Sequence, residues 1–401
     1  MEKTVLKLVK VQDLELKNKS VLMRADYNVP LKDGVISDDT RIVASLKTVK
    51  YLLSQNCKVV IMAHLGRPKG TPDPKYSLKP VAARLQELTG AKVFFAPAAI
   101  GPEAEKVVES ARNGEIVLLE NIRFYKEETG NDPEFAKKLA KYGDFFVQEG
   151  FGVVHRAHAS TDAITRYLPG AIGFLVQKEL EYLDRAMVNP ARPFAAIIGG
   201  AKVSDKISVL ESLLEKVDML VIGGGMAYTF LAAQNTNIGK SLLEADKLEE
   251  AKKIILKAHQ NNVDLILPAD HRVVKEIGSR DVEVTQSMAI PDDMIGIDIG
   301  PRTELMLSEK MKGVKTIFWN GPVGIFENPD YAKGTFALAR VVANETKKGA
   351  ISIIGGGDTV NAIKKSHVGT ENISHCSTGG GASLEFVEGK ILPGLLALSK
   401  K

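Results

Sequence analysis

The stretch AISIIGGGDTVNAIKK (Ala350–Lys365) has the form of one parallel-sheet unit: a buried strand, three glycines, and then a helix. A turn of this kind presents backbone N–H groups and the positive end of a helix dipole, and together these hold phosphate. The first residues of the predicted helix are Asp358 and Thr359, and a bare carboxylate at this helix start would repel a phosphate. Because Asp is also a favoured N-cap residue, this turn alone leaves a capping role and a ligand-binding role open.

The same pattern recurs along the whole chain. Short apolar runs alternate with amphipathic stretches of helical spacing, which is typical of parallel β/α units. The runs fall into two sets, the first being SVLMRADYN, KVVIMAHLGR, KVFFAP, EIVLLENIRF and DFFVQEGFG, and the second FAAIIGGAK, DMLVIGGGM, VDLILPAD, KTIFWNGP and AISIIGGGDT. We therefore predict an α/β protein with two doubly wound, Rossmann-like parallel-sheet domains.

A single helix is predicted to join the two domains. Between the two sets of strands, apolar residues recur at helical spacing from Ile172 to Met187, after Pro169–Gly170 and before two further prolines. The predicted boundaries are an N-terminal domain over residues 1–171, a joining helix over 172–189 and a C-terminal domain over 190–386. Each sheet should carry a ligand site at the carboxyl ends of its strands, with a cleft between the domains.

The composition excludes several classes of protein. The 401 residues include 44% hydrophobic and 25% charged side chains, which is ordinary for a globular chain of two domains. Cys57 and Cys376 are far apart in the sequence, which favours neither a disulfide framework nor a zinc site. No signal peptide and no run of about 18 apolar residues is found, so we expect a soluble, cytoplasmic protein with no membrane contact.

The charge distribution favours a small anionic ligand over nucleic acid. The net charge of +4 is modest, and Lys and Arg are scattered along the sequence. Residues 1–170 hold 26 Lys and Arg against 21 Asp and Glu, whereas the remaining residues hold 27 against 28. The excess positive charge in the first part of the chain would attract a small anion.

Four glycine-rich turns in the second half indicate a nucleotide site. They are GGAK (Gly199–Lys202), GGGM (Gly223–Met226), GGGD (Gly355–Asp358) and GGGAS (Gly379–Ser383). Any one of them could merely allow a tight turn, but four in one domain favour binding of phosphate groups. None fits the P-loop pattern, and the third glycine of the dinucleotide-binding pattern is missing.

Arginine and histidine side chains in the first half indicate an anion site. The candidates are Arg41, His64, Arg67, Arg123, His155, Arg156 and His158. His64 and Arg67 follow an apolar run, apolar residues flank Arg123, and the last three lie in the segment VVHRAH. Guanidinium groups that converge on a crevice suit a phosphate or a carboxylate, because the planar fork binds two oxygens at once. Asp26 and Asn28 either form a turn before Pro30 or bind substrate, and the sequence leaves both possibilities open.

Nine segments together resemble the phosphoglycerate kinase family. They occur in order over essentially the whole chain and are VLMRADYNVPL (Val21–Leu31), AHLGRPKG (Ala63–Gly70), LENIRFY (Leu119–Tyr125), HRAHAS (His155–Ser160), GGAKVSDKI (Gly199–Ile207), IGGGMAYTF (Ile222–Phe230), WNGPVGIFE (Trp319–Glu327), GGGDTV (Gly355–Val360) and STGGGASLE (Ser377–Glu385). The resemblance implies a monomeric, two-domain enzyme of glycolysis and gluconeogenesis. Its C-terminal tail, residues 387–401, would return to the N-terminal domain. Because the two predicted sites lie on different sheets, we also expect the domains to close about a hinge at Pro169–Gly170 and the helix after it.

The resemblance also implies a role for individual residues. Phosphoglycerate would be held by Asp26, Tyr27, Asn28, Arg41, His64, Leu65, Gly66, Arg67, Arg123 and Arg156. The nucleotide would be held by Lys202, Lys206, Gly224, Gly296, Asn320, Glu327, Gly356, Gly357, Asp358 and Thr359, and the transferring group by a loop at Gly379, Gly380 and Gly381. Arg41 and Lys202 would be catalytic, and Asp358 would be the protein ligand of Mg²⁺.

The implied reaction transfers the acyl phosphate of 1,3-bisphosphoglycerate to ADP, giving 3-phosphoglycerate and ATP, reversibly and with Mg²⁺. An acyl phosphate is already activated, so positioning and charge stabilisation suffice. A Mg²⁺ ion between Asp358 and the nucleotide would also explain a carboxylate at a phosphate site. The alternatives are a two-lobed binding protein without catalysis and a dehydrogenase, and the incomplete dinucleotide pattern disfavours the dehydrogenase.

Overall fold

The computed structural model describes residues 6–399 of the chain. The chain divides into two compact units, which are Met1–Glu181 together with Ile391–Lys401, and Tyr182–Lys390. Each unit is built around its own six-stranded parallel sheet. The predicted class, an α/β protein with two doubly wound parallel sheets, is confirmed.

The first unit contains a sheet of six parallel strands in the spatial order β5-β6-β4-β1-β7-β8. Its strands and a small hairpin are β1 (Ser20–Arg24), β2 (Leu31–Lys32), β3 (Val35–Ile36), β4 (Lys58–Met62), β5 (Val93–Ala96), β6 (Ile116–Leu119), β7 (Phe145–Gln148) and β8 (Gly170–Ile172). The hairpin pairs β2 with β3. Strand β1 has β4 on one side and β7 on the other, so the chain reverses its direction of winding there. Ligand crevices form at such a reversal.

Helices cover this sheet and follow the strands in sequence. They are α1 (Thr40–Ser54), α2 (Lys79–Thr89), α3 (Pro102–Ser110), α4 (Lys126–Thr129), α5 (Pro133–Ala140) and α6 (Phe174–Met187). The interior strands read as unbroken apolar runs because both of their faces are covered. In β4, for example, the residues Val59 to Met62 are fully buried.

The second unit contains a sheet in the order β11-β10-β9-β15-β16-β17. The strands of this unit are β9 (Phe194–Ile198), β10 (Met219–Ile222), β11 (Asp264–Ile266), β12 (His271–Val274), β13 (Glu283–Val284), β14 (Ile295–Ile299), β15 (Thr316–Asn320), β16 (Ile351–Gly355) and β17 (His375–Cys376). Strands β12, β13 and β14 form a separate antiparallel sheet. Strand β9 lies between β10 and β15, which is the reversal point of the main sheet.

The helices of the second unit pack on this sheet and are α7 (Ile207–Leu213), α8 (Gly225–Ala233), α9 (Leu248–Gln260), α10 (Pro301–Lys310), α11 (Lys333–Lys347), α12 (Gly357–Lys365) and α13 (Gly380–Val387). The last helix, α14 (Pro393–Leu396), lies in the C-terminal segment that belongs to the first unit. Short 3-10 helices occur at Val11–Asp13, Pro74–Tyr76, Ile122–Phe124, Phe151–Val153, Ala163–Arg166, Ala245–Lys247 and Thr370–Asn372. Among residues 6–399, no helix has both the length and the apolar character needed to span a bilayer.

Helix α6 contains the point at which the two units divide. The sequence pattern placed Ile172 in this helix, but Ile172 is the last residue of β8 and pairs with Gln148. The C-terminal segment belongs to the first unit from Ile391 onward, and the N–H of Gly394 donates to the carbonyl of Val154 at 2.8 Å. The domain limits predicted at 171, 190 and 386 remain predictions.

Candidate active site

The first candidate site lies where β1 and β4 end side by side. Arg24 is paired with Met62 in the parallel register, so the segments that follow the two strands are neighbours. Asp26 accepts a hydrogen bond from Nη1 of Arg41, the second residue of α1, at 2.7 Å. Nδ1 of His64 lies 4.0 Å from Oδ1 of Asp26. The sheet register and the start of α1 therefore bring three of the predicted residues into contact.

A hydrogen bond between Asn28 and Gly66 connects the segments that follow β1 and β4. The side-chain carbonyl of Asn28 accepts a hydrogen bond from the N–H of Gly66 at 2.8 Å. The carbonyl of Gly66 in turn accepts from Nη1 of Arg123 at 3.1 Å. Gly66 has φ +62°, a conformation that favours glycine. Asn28 thus acts on the fold by holding the loop after β4.

Arg123 comes from the loop after β6, which Asn121 organises. Nδ2 of Asn121 donates to the carbonyl of Leu65 at 2.7 Å, and its Oδ1 accepts from the N–H of Arg123 at 3.0 Å. Burial lowers the pKa of Arg123 to about 10, and the charges of Arg24 and Arg156 act in the same direction. The guanidinium remains protonated at neutral pH, and its Nε is buried without a hydrogen-bond partner among the described residues.

His64 is neutral in this structure and its tautomer follows from its neighbour. Burial lowers the pKa of His64 well below its ordinary value, and the charges of Arg24, Arg123 and Arg41 lower it further. Nη2 of Arg24 lies 3.2 Å from Nδ1 of His64. A guanidinium only donates, so Nδ1 must accept and the proton must be on Nε2. His64 therefore offers an N–H donor from its other nitrogen.

The segment after β7 supplies the remaining cation of the cluster. Arg156 is exposed, and its Nε lies 3.1 Å from Nε2 of His155. Burial lowers the pKa of His155 to about 4, with the charges of Arg156 and His158 adding to the effect. The hydroxyl of Thr161 donates to the carbonyl of Arg156 at 2.8 Å and so fixes the loop.

The other predicted residues of this site are placed differently. Arg67 is exposed in the loop after β4, whereas Leu65 in the same loop is buried. The side chain of Tyr27 is fully buried, and its hydroxyl lies 2.9 Å from Oγ of Ser45 in α1. Tyr27 therefore stabilises the packing of α1 through its side chain, and only its backbone is left to contact a ligand.

The second candidate site is formed by glycine turns at the carboxyl ends of β9, β10 and β15. A Cβ atom on Gly199 would lie 2.1 Å from the carbonyl oxygen of Pro322, and one on Gly224 would lie 2.6 Å from that of Gly200. Gly321 has φ +91° and is equally close to Gly199. Glycine is required because three backbone segments meet here without room for a side chain.

The turn after β16 joins this group. A Cβ atom on Gly380 would lie 2.8 Å from Cα of Gly356, so the turns that begin α12 and α13 are in backbone contact. The hydroxyl of Thr359 accepts a hydrogen bond from the N–H of Gly321 at 2.7 Å. Nζ of Lys206 donates to Oδ1 of Asn320 at 2.5 Å. The structure therefore collects glycines, two helix N-termini and a lysine at one edge of the sheet.

Asp358 is not the N-cap of α12. The N-cap is Gly356, with φ +90°, and no side chain makes a capping hydrogen bond at this terminus. Asp358 is the second residue of the helix and is exposed. The capping role that the sequence left open is thereby removed, and an exposed carboxylate remains beside the glycine turn.

The other predicted nucleotide residues come from further segments of the second unit. Lys202 is exposed in the loop after β9, and Glu327 is exposed in the segment before α11. Gly296 lies in β14, where a Cβ atom would come within 2.3 Å of the hydroxyl oxygen of Tyr228. Burial lowers the pKa of Lys206. Gly357, Gly379 and Gly381 belong to the two turns already described.

Two residues of the first site were missed by the sequence reasoning. Glu128 in α4 is fully buried, and its carboxylate accepts hydrogen bonds from the N–H and the hydroxyl of Ser160. Ser160 is the final residue of the HRAHAS segment but was assigned no role. The segment KEET (Lys126–Thr129) is polar throughout, as in an exposed helical turn. Its sequence therefore gives no signal that Glu128 is buried.

Comparisons with known proteins point to a single family. Residues 11–390 match the sequence model of the family described as phosphoglycerate kinase. The chain is 58% identical over 392 residues to the phosphoglycerate kinase of Elusimicrobium minutum, covering 98% of each chain. It is also similar to the solved phosphoglycerate kinases of Coxiella burnetii (TM-score 0.86, 41% identity) and Pyrococcus horikoshii (TM-score 0.87, 32% identity), with 98% of each chain covered in both cases.

Proposed function

The chain belongs to the phosphoglycerate kinase family, and from that premise we propose that it transfers the acyl phosphate of 1,3-bisphosphoglycerate to ADP. The products are 3-phosphoglycerate and ATP, and the transfer is reversible and depends on Mg²⁺. The observation that carries this proposal is the presence of two chemically different sites on two separate parallel sheets. One site is formed by arginines and a neutral histidine, and the other by glycine turns and helix N-termini.

The first site suits a phosphorylated carboxylic acid. Arg41 and Arg123 supply planar forks, and His64 supplies a neutral donor. The side chain of Arg41 is 34% exposed although it is paired with Asp26, so it can turn its free N–H groups toward an anion. Charge-assisted hydrogen bonds from several arginines favour a ligand with more than one negative group. We assign phosphoglycerate, together with the exposed Arg67 and Arg156, to this site.

The second site suits the phosphate groups of ADP and ATP. Helices α12 and α13 begin at these glycine turns. The backbone N–H groups at a helix N-terminus stabilise negative charge. Lys206 lies at the same edge through its bond to Asn320. Lys202 is exposed on a flexible four-carbon stem beside Gly199–Gly200 and is free to follow the transferring group. We assign Gly296 and Glu327 to the adenosine part of the nucleotide.

The residues present fit a Mg²⁺ ion that is shared with the nucleotide. Within residues 6–399, no group of three or more His, Cys, Asp or Glu side chains is arranged to hold a metal ion. Mg²⁺ commonly uses one or two carboxylates and completes its coordination with phosphate oxygens and water. Asp358 offers one such exposed carboxylate beside the glycine turn. When bound, the ion would neutralise charge on the phosphate oxygens.

Positioning and charge stabilisation account for the chemistry. The acyl phosphate is already activated, so no covalent enzyme intermediate is required. In the transition state, negative charge spreads over the oxygens of the moving phosphoryl group, and fixed cations stabilise it. We assign that stabilisation to Arg41 and Lys202, together with the backbone of Gly379, Gly380 and Gly381. The reacting atoms must approach to about 3–3.5 Å, so hinge closure about α6 remains part of the proposal.

A coupled assay tests this function. ATP formation from 1,3-bisphosphoglycerate and Mg·ADP is expected with the wild-type chain and should be lost when either substrate is omitted. Lys202→Met should lower turnover while retaining binding of 3-phosphoglycerate. A folded chain that binds 3-phosphoglycerate but forms no ATP would support the alternative of a binding protein and refute the proposal. A cytoplasmic monomer is expected, which gel filtration with light scattering would check for the oligomeric state.

A further inference from the structure

A buried carboxylate lies directly beneath the arginine cluster of the first site. Glu128 belongs to the four-residue helix α4 and has no exposed surface. Its Oε2 accepts from the N–H of Ser160 at 3.0 Å, and its Oε1 accepts from the hydroxyl of Ser160 at 2.7 Å. Its backbone carbonyl accepts from the N–H of Ala159 at 2.9 Å. A single residue therefore holds both backbone and side chain of the segment that carries Arg156.

Ser160 connects Glu128 to Arg24 and, through Arg24, to His64. Nε of Arg24 donates to the hydroxyl oxygen of Ser160 at 2.7 Å, so the serine proton must point to Glu128. Nη2 of Arg24 donates to Nδ1 of His64 at 3.2 Å. The donor direction is fixed at every step, because a guanidinium cannot accept and a carboxylate cannot donate. The chain of bonds runs from Glu128 through Ser160 and Arg24 to His64.

The charges in this chain depend on one another. Arg24 is fully buried, and a buried cation without a compensating anion is strongly destabilising. Nδ1 of His158 lies 3.6 Å from Oε1 of Glu128. Burial raises the pKa of Glu128, but His158, Arg24 and Ser160 outweigh burial and hold the pKa below its ordinary value. Glu128 therefore remains a carboxylate and compensates a cluster that otherwise consists mainly of cations.

We propose that Glu128 is a positioning residue for the anion site. It fixes the loop His155–Thr161, and through Ser160 it orients the guanidinium of Arg24, which in turn keeps His64 in the tautomer that donates from Nε2. This inference rests on the proposed function, because the ligand that it affects is phosphoglycerate. Glu128 does not touch the ligand, and its effect is transmitted by the side chains above it.

Calorimetry on folded variants separates this role from a merely structural one. Glu128→Gln keeps the shape, removes the anion and replaces one accepting oxygen by an NH₂ group, which then faces either the N–H or the hydroxyl of Ser160. We expect it to weaken 3-phosphoglycerate binding by at least about tenfold, the equivalent of one charge-assisted hydrogen bond. Binding of Mg·ADP should change by less than about twofold. The matched control is Glu127→Gln, the exposed neighbour on α4, which should leave both affinities unchanged.

A second variant and a spectroscopic measurement complete the test. Ser160→Ala keeps the carboxylate but breaks the path to Arg24, and we expect 3-phosphoglycerate binding to fall by at least about threefold. Nitrogen-15 spectra should show His64 protonated on Nε2 in the wild type and a mixture of tautomers in both variants, with His64→Asn providing the assignment. Ser160→Ala supplies the decisive comparison if Glu128→Gln does not fold.

Wild-type affinity for 3-phosphoglycerate in either folded variant, with an unchanged His64 spectrum, would overturn the proposal. An equal loss of affinity for both ligands would also overturn it, because that result indicates general destabilisation. Failure of the wild type itself to bind 3-phosphoglycerate would instead refute the proposed function. The two failures are thus distinguished by the wild-type measurement alone.

Discussion

Gly357→Ala is the most direct test of the nucleotide site. Gly357 is the first residue of α12, and a Cβ atom built on it meets no heavy atom of the described residues within 4 Å. Its φ is not in the left-handed region, so alanine can adopt the same backbone conformation. The fold therefore gives no reason for glycine at this position, and any requirement for glycine must come from a ligand.

The expected effects on stability and on binding have opposite signs. Replacing glycine by alanine at a compatible position stabilises a protein by about 0.4–1 kcal/mol, because the unfolded chain loses conformational freedom. A phosphate oxygen bonded to a backbone N–H lies about 2.9 Å from the nitrogen. A methyl group on the same turn would compete for that space. We expect the dissociation constant of Mg·ADP to rise at least about tenfold, which corresponds to about 1.4 kcal/mol.

Calorimetry with Mg·ADP and thermal unfolding without ligand measure the two effects on the same samples. Gly130→Ala is the matched control, since Gly130 is exposed, has φ −77° and would place its Cβ at an ordinary 3.4 Å from the nearest atom. The control should share any gain in stability but should not change ADP binding. Unchanged ADP affinity in Gly357→Ala would refute the assignment of this turn to the nucleotide phosphates.

Three further predictions concern other positions. Asp358→Asn should leave the melting temperature near that of the wild type but lower activity, with partial recovery at high Mg²⁺ in the coupled assay. Arg156→Ala should weaken 3-phosphoglycerate binding and not ADP binding, and the reverse result in calorimetry would show that the two sites are assigned to the wrong units. Burial lowers the pKa of His271 to about 4, so the unfolded chain takes up a proton that the folded chain excludes as the pH falls below about 6.5. Stability should therefore fall between about pH 6.5 and pH 4, by up to about 3 kcal/mol from this group, and denaturant unfolding should show a smaller fall in His271→Gln.

The strand ends could be predicted from the sequence because the relevant signals are local. A run such as Val59–Met62 is apolar throughout since both faces of the strand are covered, and the first polar residue after it, His64, marks the carboxyl edge. Parallel pairing then places the residues after β1 and β4 side by side, as found for Asp26 and His64. The pairing of β1 with β4 brings these two side chains together, and their residue types are read directly from the sequence.

The support beneath the first site could not be predicted in this way. Glu128 and Ser160 are 32 residues apart and are joined by the packing of a short helix against an irregular loop. No periodicity relates such elements, and Glu in a four-residue helix is ordinarily exposed. Tyr27 illustrates the same limit, because the family resemblance implied a ligand contact for this residue while its hydroxyl lies against Ser45 inside the unit. Side-chain direction in loops depends on tertiary contacts that the local sequence does not encode.

Asp358 shows how geometry can decide between two roles that the sequence leaves open. A capping side chain must occupy the residue before the first helical turn, and that position belongs to Gly356. As the second helical residue, Asp358 gains only the interaction of a carboxylate with the helix dipole, about 0.3–1 kcal/mol at an exposed site. Replacing Asp358 by Asn would therefore remove little more than this interaction with the helix dipole. A steep loss of activity in Asp358→Asn would therefore exceed anything that the helix can explain, and a charge held against a metal-bound nucleotide is the interaction that accounts for it.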